Sequence, residues 1–464
     1  MKSEINRILI IGIGGVGLHL ARRLDHEGYE VTVLEANAEL LKHVVETSEF
    51  SVVHGNAMNL SSWEEVGASG MDLLITATND DAVNMLACVV AERLGIQRRI
   101  ARLRTMDFDN LNSEESRSFH IDLVVHPEEL IAQEIQRLVR RSSGNDMVDV
   151  GNGNMRVLGL RVTEDSPLVG MTPRELSKRY TETYFRVVAL ARGITTIIPQ
   201  ADESIFAADQ VFIMALTQNM DRLMQEIGVE QGRVRRMAIL GGGLIGQRAA
   251  QLLEDEVEVR LIERDAARAE ELAGLMKRAE VMHSDGTNLD DLIQCGIPDL
   301  DSFVATTGDN ETNIISCLLA KHLMNRENRE VGGRAGKTIA LVDNEDYLVL
   351  SSTIGLDIAL NAKISTANEI LKFVRRNELV SVAHLHGVDA EVVEFQAAPN
   401  SPITKKTLGG QASFFREYGI LIGGVEHEGR WEVAVGTTRV LPESRVIAIC
   451  SSRQLRNVRR LFSI

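Results

Sequence analysis

The sequence predicts an α/β protein of two tandem units, each a doubly wound parallel sheet followed by a small α+β domain. Three observations carry this. Short strands that are apolar throughout alternate with amphipathic helices, as in a parallel sheet covered on both faces. A glycine-rich turn follows the first strand. The whole pattern then occurs a second time within the 464 residues.

The first unit opens on "ILIIGIGGVGLHLARRL", residues 8–24. Ile8 to Ile11 read as a buried strand, and an amphipathic helix follows. Between them Gly12, Gly14 and Gly17 give G-x-G-x-x-G, the phosphate-binding corner of a Rossmann-like fold. Gly12 permits the tight turn, Gly14 lets backbone approach a pyrophosphate, and Gly17 lets helix and strand pack closely. The helix N-terminus adds free N–H groups and partial positive charge. Glu35 ends the next strand, "YEVTVLE", 18 residues after Gly17. That is near the spacing at which a carboxylate takes the ribose hydroxyls. "SVVHGN", "DLLITAT", "RIARLR" and "IDLVVHP" are four further strands, and "PEELIAQEIQRLVRR" is a closing helix.

The second unit repeats the first. "MAILGGGLIGQRAAQLL", residues 237–253, carries Gly241, Gly243 and Gly246, and Glu263 follows Gly246 by 17 residues. His54 and His283, Asp72 and Asp301, Thr78 and Thr307, and Asn84 and Asn313 are all 229 apart. A constant offset over so long a stretch marks a duplication. The polar insertion "NRENREVGGRAGK" breaks it and is expected to lengthen a surface loop. After it, "ELIAQEIQRLVRR" matches "ISTANEILKFVRR" at an offset of 235.

The expected division is a Rossmann-like nucleotide-binding domain at 1–141, a small α+β domain at 142–220 and a linker at 221–234. A second Rossmann-like domain at 235–376 and a second small domain at 377–464 follow. The Gly-, Asn- and Ser-rich stretch at 142–155 reads as the first boundary. In the small domains "RVLGLRV", "FRVVALAR" and "DQVFIMAL", and later "AEVVEFQ", "GILIGGV" and "RVIAICS", read as strands.

Composition excludes several classes. A net charge of −16 argues against a nucleic-acid partner, because phosphate neutralisation needs a basic surface. No apolar run reaches the roughly 18 residues of a membrane span, and "MKSEINR" offers no signal-peptide core. The four cysteines are scattered and read as free thiols in a reducing cytoplasm.

Ligands of a doubly wound sheet lie over the carboxyl ends of the strands. There the sequence places Asn56 and Ala57, then Thr76, Thr78, Asn79, Asp80 and Asp81. Their partners are Asp285 and Gly286, then Thr306, Thr307, Gly308, Asp309 and Asn310. Small and hydroxyl side chains there leave room for adenine or ribose. Arg102 and Arg104 end the fifth strand of the first half, but Leu341 and Asp343 end that of the second. The first pocket is therefore expected to hold an anionic phosphate better, and the second to be neutral or acidic. His54 and His283 fit structural hydrogen bonding better than ligation. Neither a metal site nor a catalytic constellation emerges, so the cofactor corner appears without a reaction partner.

With these residues in view, the chain resembles the TrkA family, the cytoplasmic nucleotide-binding subunits of bacterial Trk potassium uptake systems. The likeness rests on "IGIGGVG", "VVHGNA", "ITATNDDAVN" and "VVHPEELIA" in the first half. In the second it rests on "LGGGLIG", "HSDGTN", "VATTGDNETN" and "ISTANEIL". It implies two RCK units, each a Rossmann-like lobe and a small lobe. It also implies binding of NAD(H) and of ATP or ADP. The protein would be a peripheral one on the inner face of the plasma membrane, a homo-oligomer, usually a tetramer. It would sit under a TrkH- or TrkG-like potassium-translocating subunit, whose flux it gates, and would not itself be an enzyme. Carried onto this sequence, the cofactor-binding residues are Gly12, Ile13, Gly14, Gly15, Val16, Gly17, Glu35, Asn56, Ala57, Thr78, Asn79 and Arg102. In the second half they are Gly241, Gly242, Gly243, Leu244, Ile245, Gly246, Glu263, Asp285, Thr307 and Gly308. Two departures stand out: "GNA" replaces the Gly-Asp of many relatives, and Val16 replaces the arginine of ATP-selective ones. The alternative reading is an NAD-dependent dehydrogenase with a duplicated cofactor domain.

Overall fold

The computed structural model describes residues 5–45, 48–105, 119–140, 146–193, 195–229, 233–330, 336–375, 381–385 and 388–463. In the first half, β1 (Arg7–Ile11), α1 (Gly15–His26), β2 (Glu30–Glu35), α2 (Ala38–Val45), β3 (Ser51–His54), α3 (Leu60–Glu65) and β4 (Leu73–Thr76) alternate. They continue with α4 (Asp81–Arg93), β5 (Arg98–Arg102), β6 (Leu123–Val125) and α5 (Pro127–Arg140). The six strands form a parallel sheet in the order β3-β2-β1-β4-β5-β6. The order reverses between β2 and β4, so the end of β1, where the glycine turn starts, is the topological switch point. Ile8, Leu9 and Ile10 are fully buried, which is why this strand reads as one apolar run.

Next come β7 (Asp146–Val150), β8 (Met155–Arg161), α6 (Pro173–Arg179), β9 (Phe185–Arg192), β10 (Thr195–Ile197), β11 (Gln210–Leu216) and α7 (Met220–Glu226). The strands make an antiparallel sheet, β10-β9-β11-β8-β7. Two sequence assignments change here. The stretch expected as a boundary contains β7, whose alternation is short and hidden between glycine- and asparagine-rich ends. The linker expected at 221–234 begins as helix instead: Met220, Leu223 and Met224 of α7, and Ile227 just after it, are buried in the small domain's core.

The second half repeats the scheme with β12 (Arg236–Leu240), α8 (Leu244–Leu253), β13 (Glu258–Glu263), α9 (Ala266–Leu275), β14 (Glu280–His283), α10 (Leu289–Gln294) and β15 (Ser302–Ala305). Then follow α11 (Asn310–Glu330), β16 (Lys337–Leu341), α12 (Glu345–Ile354), β17 (Ile358–Leu360) and α13 (Ala362–Arg375). Its sheet order is β14-β13-β12-β15-β16-β17, the counterpart of the first. The polar insertion starts as a continuation of α11 to Glu330 rather than as a loop, because "NRENRE" consists of residues that helices tolerate. The last elements are β18 (Ser381–His384), β19 (Glu391–Gln396), α14 (Ala412–Glu417), β20 (Leu421–His427), β21 (Arg430–Val433), β22 (Arg445–Cys450) and α15 (Leu455–Phe462). Their sheet, β18-β19-β22-β20-β21, has the order of the first small sheet read from the other edge. The two small sheets share one core, in which Met155, Phe212 and Met214 meet Trp431, Ile447 and Ile449.

The chain forms two compact units, and they are not the two sequence repeats. The first 131 residues group with the segment that carries α13, whereas most of α5 groups with the second half. Ala367, Ile370, Leu371 and Val374 recur at helical spacing on α13 and share a core with Leu20 and Leu24 of α1. Burying the three larger side chains stabilises this packing by roughly 1.5–3 kcal/mol each. Conversely, Gln136 of α5 donates to the Leu252 carbonyl at 2.7 Å, and Arg140 pairs with Glu256. Each closing helix, expected in its own repeat's nucleotide domain, thus packs on the other repeat's elements.

Candidate functional site

Each glycine loop is built by backbone geometry. Gly12 has φ +93° and Gly241 φ +101°, a region costly for any residue with a Cβ. Their N–H groups donate to Leu34 and Ile262, fixing the turn against the neighbouring strand. A Cβ on Gly17 would collide with the Gly12 carbonyl oxygen, and one on Gly246 with that of Gly241. Gly14 and Gly243 face open space. They cap α1 and α8, with no side-chain cap and no acid in the first turn of either helix. The first intrahelical bonds recorded are Leu18 N to Gly14 O and Gln247 N to Gly243 O, both 2.9 Å. The N–H groups ahead of them lack helical acceptors, as an anion site requires.

Glu35 and Glu263 make the same pair of contacts. Glu35 accepts from Ile13 N and Asn37 N, both at 2.7 Å. Glu263 accepts from Gly242 N and Asp265 N, both at 2.8 Å. Each carboxylate oxygen thus takes one backbone donor and keeps acceptor capacity for a ribose hydroxyl.

The other predicted residues divide by where their side chains go. Ile13 and Val16 are buried in the core beneath the loop and offer only backbone to a ligand. Ala57 is buried, and its carbonyl accepts from Trp63 Nε1 at 2.8 Å. Asn56 and Asp285 close local turns through Met58 N and Thr287 N. The Thr287 donors also hold the Asp285 carboxyl below its ordinary pKa. Gly15, Asn79, Leu244 and Gly308 are exposed at the rim, and Ile245 is half-buried. Ring nitrogens of His54 and His283 meet the carbonyls of Ala36 and Arg264 at 3.2 and 3.0 Å, a structural use.

Thr78 and Thr307 are held by two asparagines absent from the predicted site. Buried Asn84 accepts from Thr78 N and Oγ1 and donates to the carbonyls of Thr78 and Arg102. Asn313 does the same for Thr307 and Leu341. One side chain thereby ties the end of the fourth strand of each sheet to that of the fifth. The signal was present, since both asparagines recur at the common offset within apolar helices. Asn84→Ala leaves those backbone groups unpaired and is expected to cost about 1–3 kcal/mol, read by urea denaturation.

Arg102 lies across this clasp, donating to Asn79 Oδ1 at 2.9 Å and to the Thr78 carbonyl at 3.3 Å. Burial pulls its guanidinium below the ordinary arginine range, and its Nε is a buried donor without a partner. Both features suit a site whose remaining acceptor is an anion. Arg104 turns away, pairing with Glu128 at 3.3 Å. Leu341 and Asp343 leave the fifth-strand end of the second half without a cation, but one reaches the loop itself, where it is also paired with Glu271 at 2.7 Å. Arg268 of α9 donates to the Gly242 carbonyl at 3.0 and 3.1 Å and to Gln247 at 2.7 Å. The corresponding residue of the first half is Glu39, so composition at the strand ends could not reveal it.

The residues present fit a dinucleotide: an open glycine corner with free N–H groups, an acceptor for the ribose and a cation near each loop. Among the described residues no cluster of three or more His, Cys, Asp or Glu could hold a metal. Nor, among them, is any helix long and apolar enough to cross a membrane.

Comparison with known proteins agrees with this geometry. Residues 8–127 and 237–362 match the TrkA-N domain, and residues 157–228 match the TrkA-C domain. The Trk system potassium uptake protein TrkA of Halomonas elongata is 30% identical over 465 aligned residues, covering 99% of both chains. Among solved structures, the GsuK RCK domain has a TM-score of 0.60 at 20% identity, over 99% of this chain and 95% of its own. The GsuK channel bound to NAD has 0.59 at 20% identity, over 99% and 79%. These two likenesses show the fold, tandem units each made of a Rossmann-like lobe and a small domain. The full-length relative carries the name of a potassium-uptake protein and not of a dehydrogenase. With more than half of its length matched by one domain family and 99% of it by that relative, the chain belongs to the TrkA family.

Proposed function

We propose that this protein is the regulatory subunit of a Trk-type potassium uptake system. It binds NAD(H), and ATP or ADP, at its glycine loops, with the sites formed by the residues given above. Ligand binding gates flux through a membrane-embedded TrkH- or TrkG-like subunit, beneath which this chain assembles as a homo-oligomer, a tetramer in this reading. It acts as a peripheral protein on the cytoplasmic face. The observation that carries the proposal is the duplicated corner: a glycine loop, an uncapped helix N-terminus and a carboxylate at the ribose position, built twice with the same hydrogen bonds.

The chain's own residues would do the following. First-turn N–H groups of α1 and α8 hold the pyrophosphate, Glu35 and Glu263 accept from ribose, and Arg102 neutralises phosphate charge. A ligand shifts a conformational equilibrium only by its differential affinity for the two states. Loops tied by Asn84 and Asn313 to the ends of two strands would transmit such a preference to the sheet.

Thermal unfolding with NAD, NADH, NADPH, ATP and ADP at matched concentration tests the binding, since a ligand of the folded state raises the melting temperature. NAD(H) or adenine nucleotides should stabilise, NADPH less, because its 2′-phosphate opposes Glu35 and Glu263. Glu35→Ala should weaken both this shift and nucleotide control of potassium flux in reconstituted vesicles. A flat response to every nucleotide would sink the proposal.

A further inference from the structure

The second small domain reverses the charge of the chain. After β19, residues 397–464 hold ten Lys or Arg against five Asp or Glu, a net of +5 in a chain of −16. The equivalent stretch of the first small domain, residues 162–226 after β8, holds six against nine, a net of −3. The excess is therefore not a requirement of the fold, since the duplicate builds the same sheet without it. A charge asymmetry of this kind points to an anionic partner.

Part of the excess is gathered in one place. The turn Pro402–Thr404 leads into Lys405 and Lys406. The residues after them run beside the loop that follows β21. Thr407 and Arg439 form an antiparallel bridge, Leu408 N donates to Thr438 O at 3.0 Å, and Gly409 N donates to Gly436 O at 2.7 Å. Gln411, just ahead of α14, fastens the turn by donating to the carbonyls of Ile403 and Lys406 at 3.1 and 3.2 Å. Lys405, Lys406 and Arg439 are exposed, and among the described residues none of the three is paired with an acid. Arg445 of β22, by contrast, is neutralised by Glu394 and Glu426, each at 3.3 Å. Apolar side chains stand among the free cations: Val435 and Leu441 of the loop are 47% and 51% exposed. At the offset of 235, the counterparts of Lys405, Lys406 and Arg439 are Gly170, Met171 and Ser204, all uncharged.

Cations alone suit any polyanion. Exposed aliphatic side chains among them suit a surface with an apolar layer directly beneath its charge, which is an anionic bilayer. The net −21 of residues 1–396 does not oppose the contact, because charges in physiological salt are screened beyond about 8 Å. We propose that Lys405, Lys406 and Arg439, with Val435 and Leu441, dock the second small domain directly on the anionic headgroups of a lipid bilayer. The cations meet lipid phosphate, and the two aliphatic side chains enter the boundary between headgroups and acyl chains. This contact is additional to attachment through a pore subunit. The choice of the cytoplasmic leaflet rests on the peripheral placement proposed above.

The test floats the full chain, with no pore subunit present, on vesicles of equal parts phosphatidylcholine and phosphatidylglycerol, and on vesicles of phosphatidylcholine alone. The chain should bind the anionic vesicles and not the neutral ones, with an affinity that falls as salt rises. Lys405→Gln, Lys406→Gln and Arg439→Gln together should weaken binding roughly 100-fold, the loss of three headgroup contacts. Val435→Ser with Leu441→Ser should weaken it about tenfold through lost apolar burial. Both variants should melt at the temperature of the parent, because all five side chains are exposed. A parent chain that does not float with anionic vesicles, or a triple variant that floats equally well, overturns the inference. So does tighter binding to a DNA duplex than to the vesicles, or full flotation of Val435→Ser with Leu441→Ser, since either makes the face a general polyanion site. A chain that fails to float but still melts higher with NAD loses the lipid contact and leaves the regulatory reading standing. Flotation without any nucleotide response does the reverse.

Discussion

Gly17→Ala is expected to destabilise the first lobe by about 3 kcal/mol or more, lowering its melting temperature by roughly 6–12 °C. The new Cβ would overlap the Gly12 carbonyl oxygen, and no side-chain rotation relieves a clash with backbone. Either α1 moves away from β1 or the turn opens. Gly14→Ala, three residues away, is expected to change stability by less than about 0.5 kcal/mol, because its Cβ meets nothing within 4 Å and its φ of −58° suits any residue. In the proposed site that open space belongs to the phosphate. Gly14→Ala should therefore reduce the nucleotide-induced rise in melting temperature while leaving the free protein intact. Measuring both variants with and without NAD separates the glycine that builds the turn from the one that faces the ligand. Equal effects of the two on the free protein would contradict the packing described here. The same contrast is expected between Gly246 and Gly243.

Arg375→Ala is expected to cost about 3–5 kcal/mol, because it strands a buried carboxylate. Arg375 and Glu27 are 1% and 7% exposed, and Arg375 Nε donates to Glu27 Oε2 at 3.0 Å. Water cannot replace the lost partner cheaply at that depth. A double variant, Glu27→Leu with Arg375→Leu, should recover much of the loss, since removing both charges also removes their desolvation cost. Denaturant titration of the two single variants and the double gives the coupling energy directly. A coupling below about 1 kcal/mol would mean that the ion pair does not hold α13 on α1 and that the apolar face does so alone.

Sequence periodicity alone determined the architecture. Both sheets of six strands, the switch-point position of each glycine loop and the carboxylates at the ends of β2 and β13 were all legible. These are local features, set by apolar runs, glycine spacing and one constant offset. The small domains were read less fully: β7, β10, β18 and β21 are short edge strands with weak alternation, and pairing rather than pattern makes them strands.

What only the tertiary structure decided is which surfaces meet. Composition left the second loop without a cation, yet Arg268 arrives there from α9, a helix whose first-half counterpart offers Glu39. Asn84 and Asn313 were visible as repeats, but their four-way clasp exists only when two strand ends and a helix converge. Most of all, the sequence assigned α5 and α13 to their own repeats, and the fold exchanges them. An amphipathic helix specifies that its apolar face must be covered, not by what. The choice between two homologous sheets rests on side-chain complementarity, seen in α13 on α1 with Arg375 against Glu27, and complementarity of that kind has no signature along the chain.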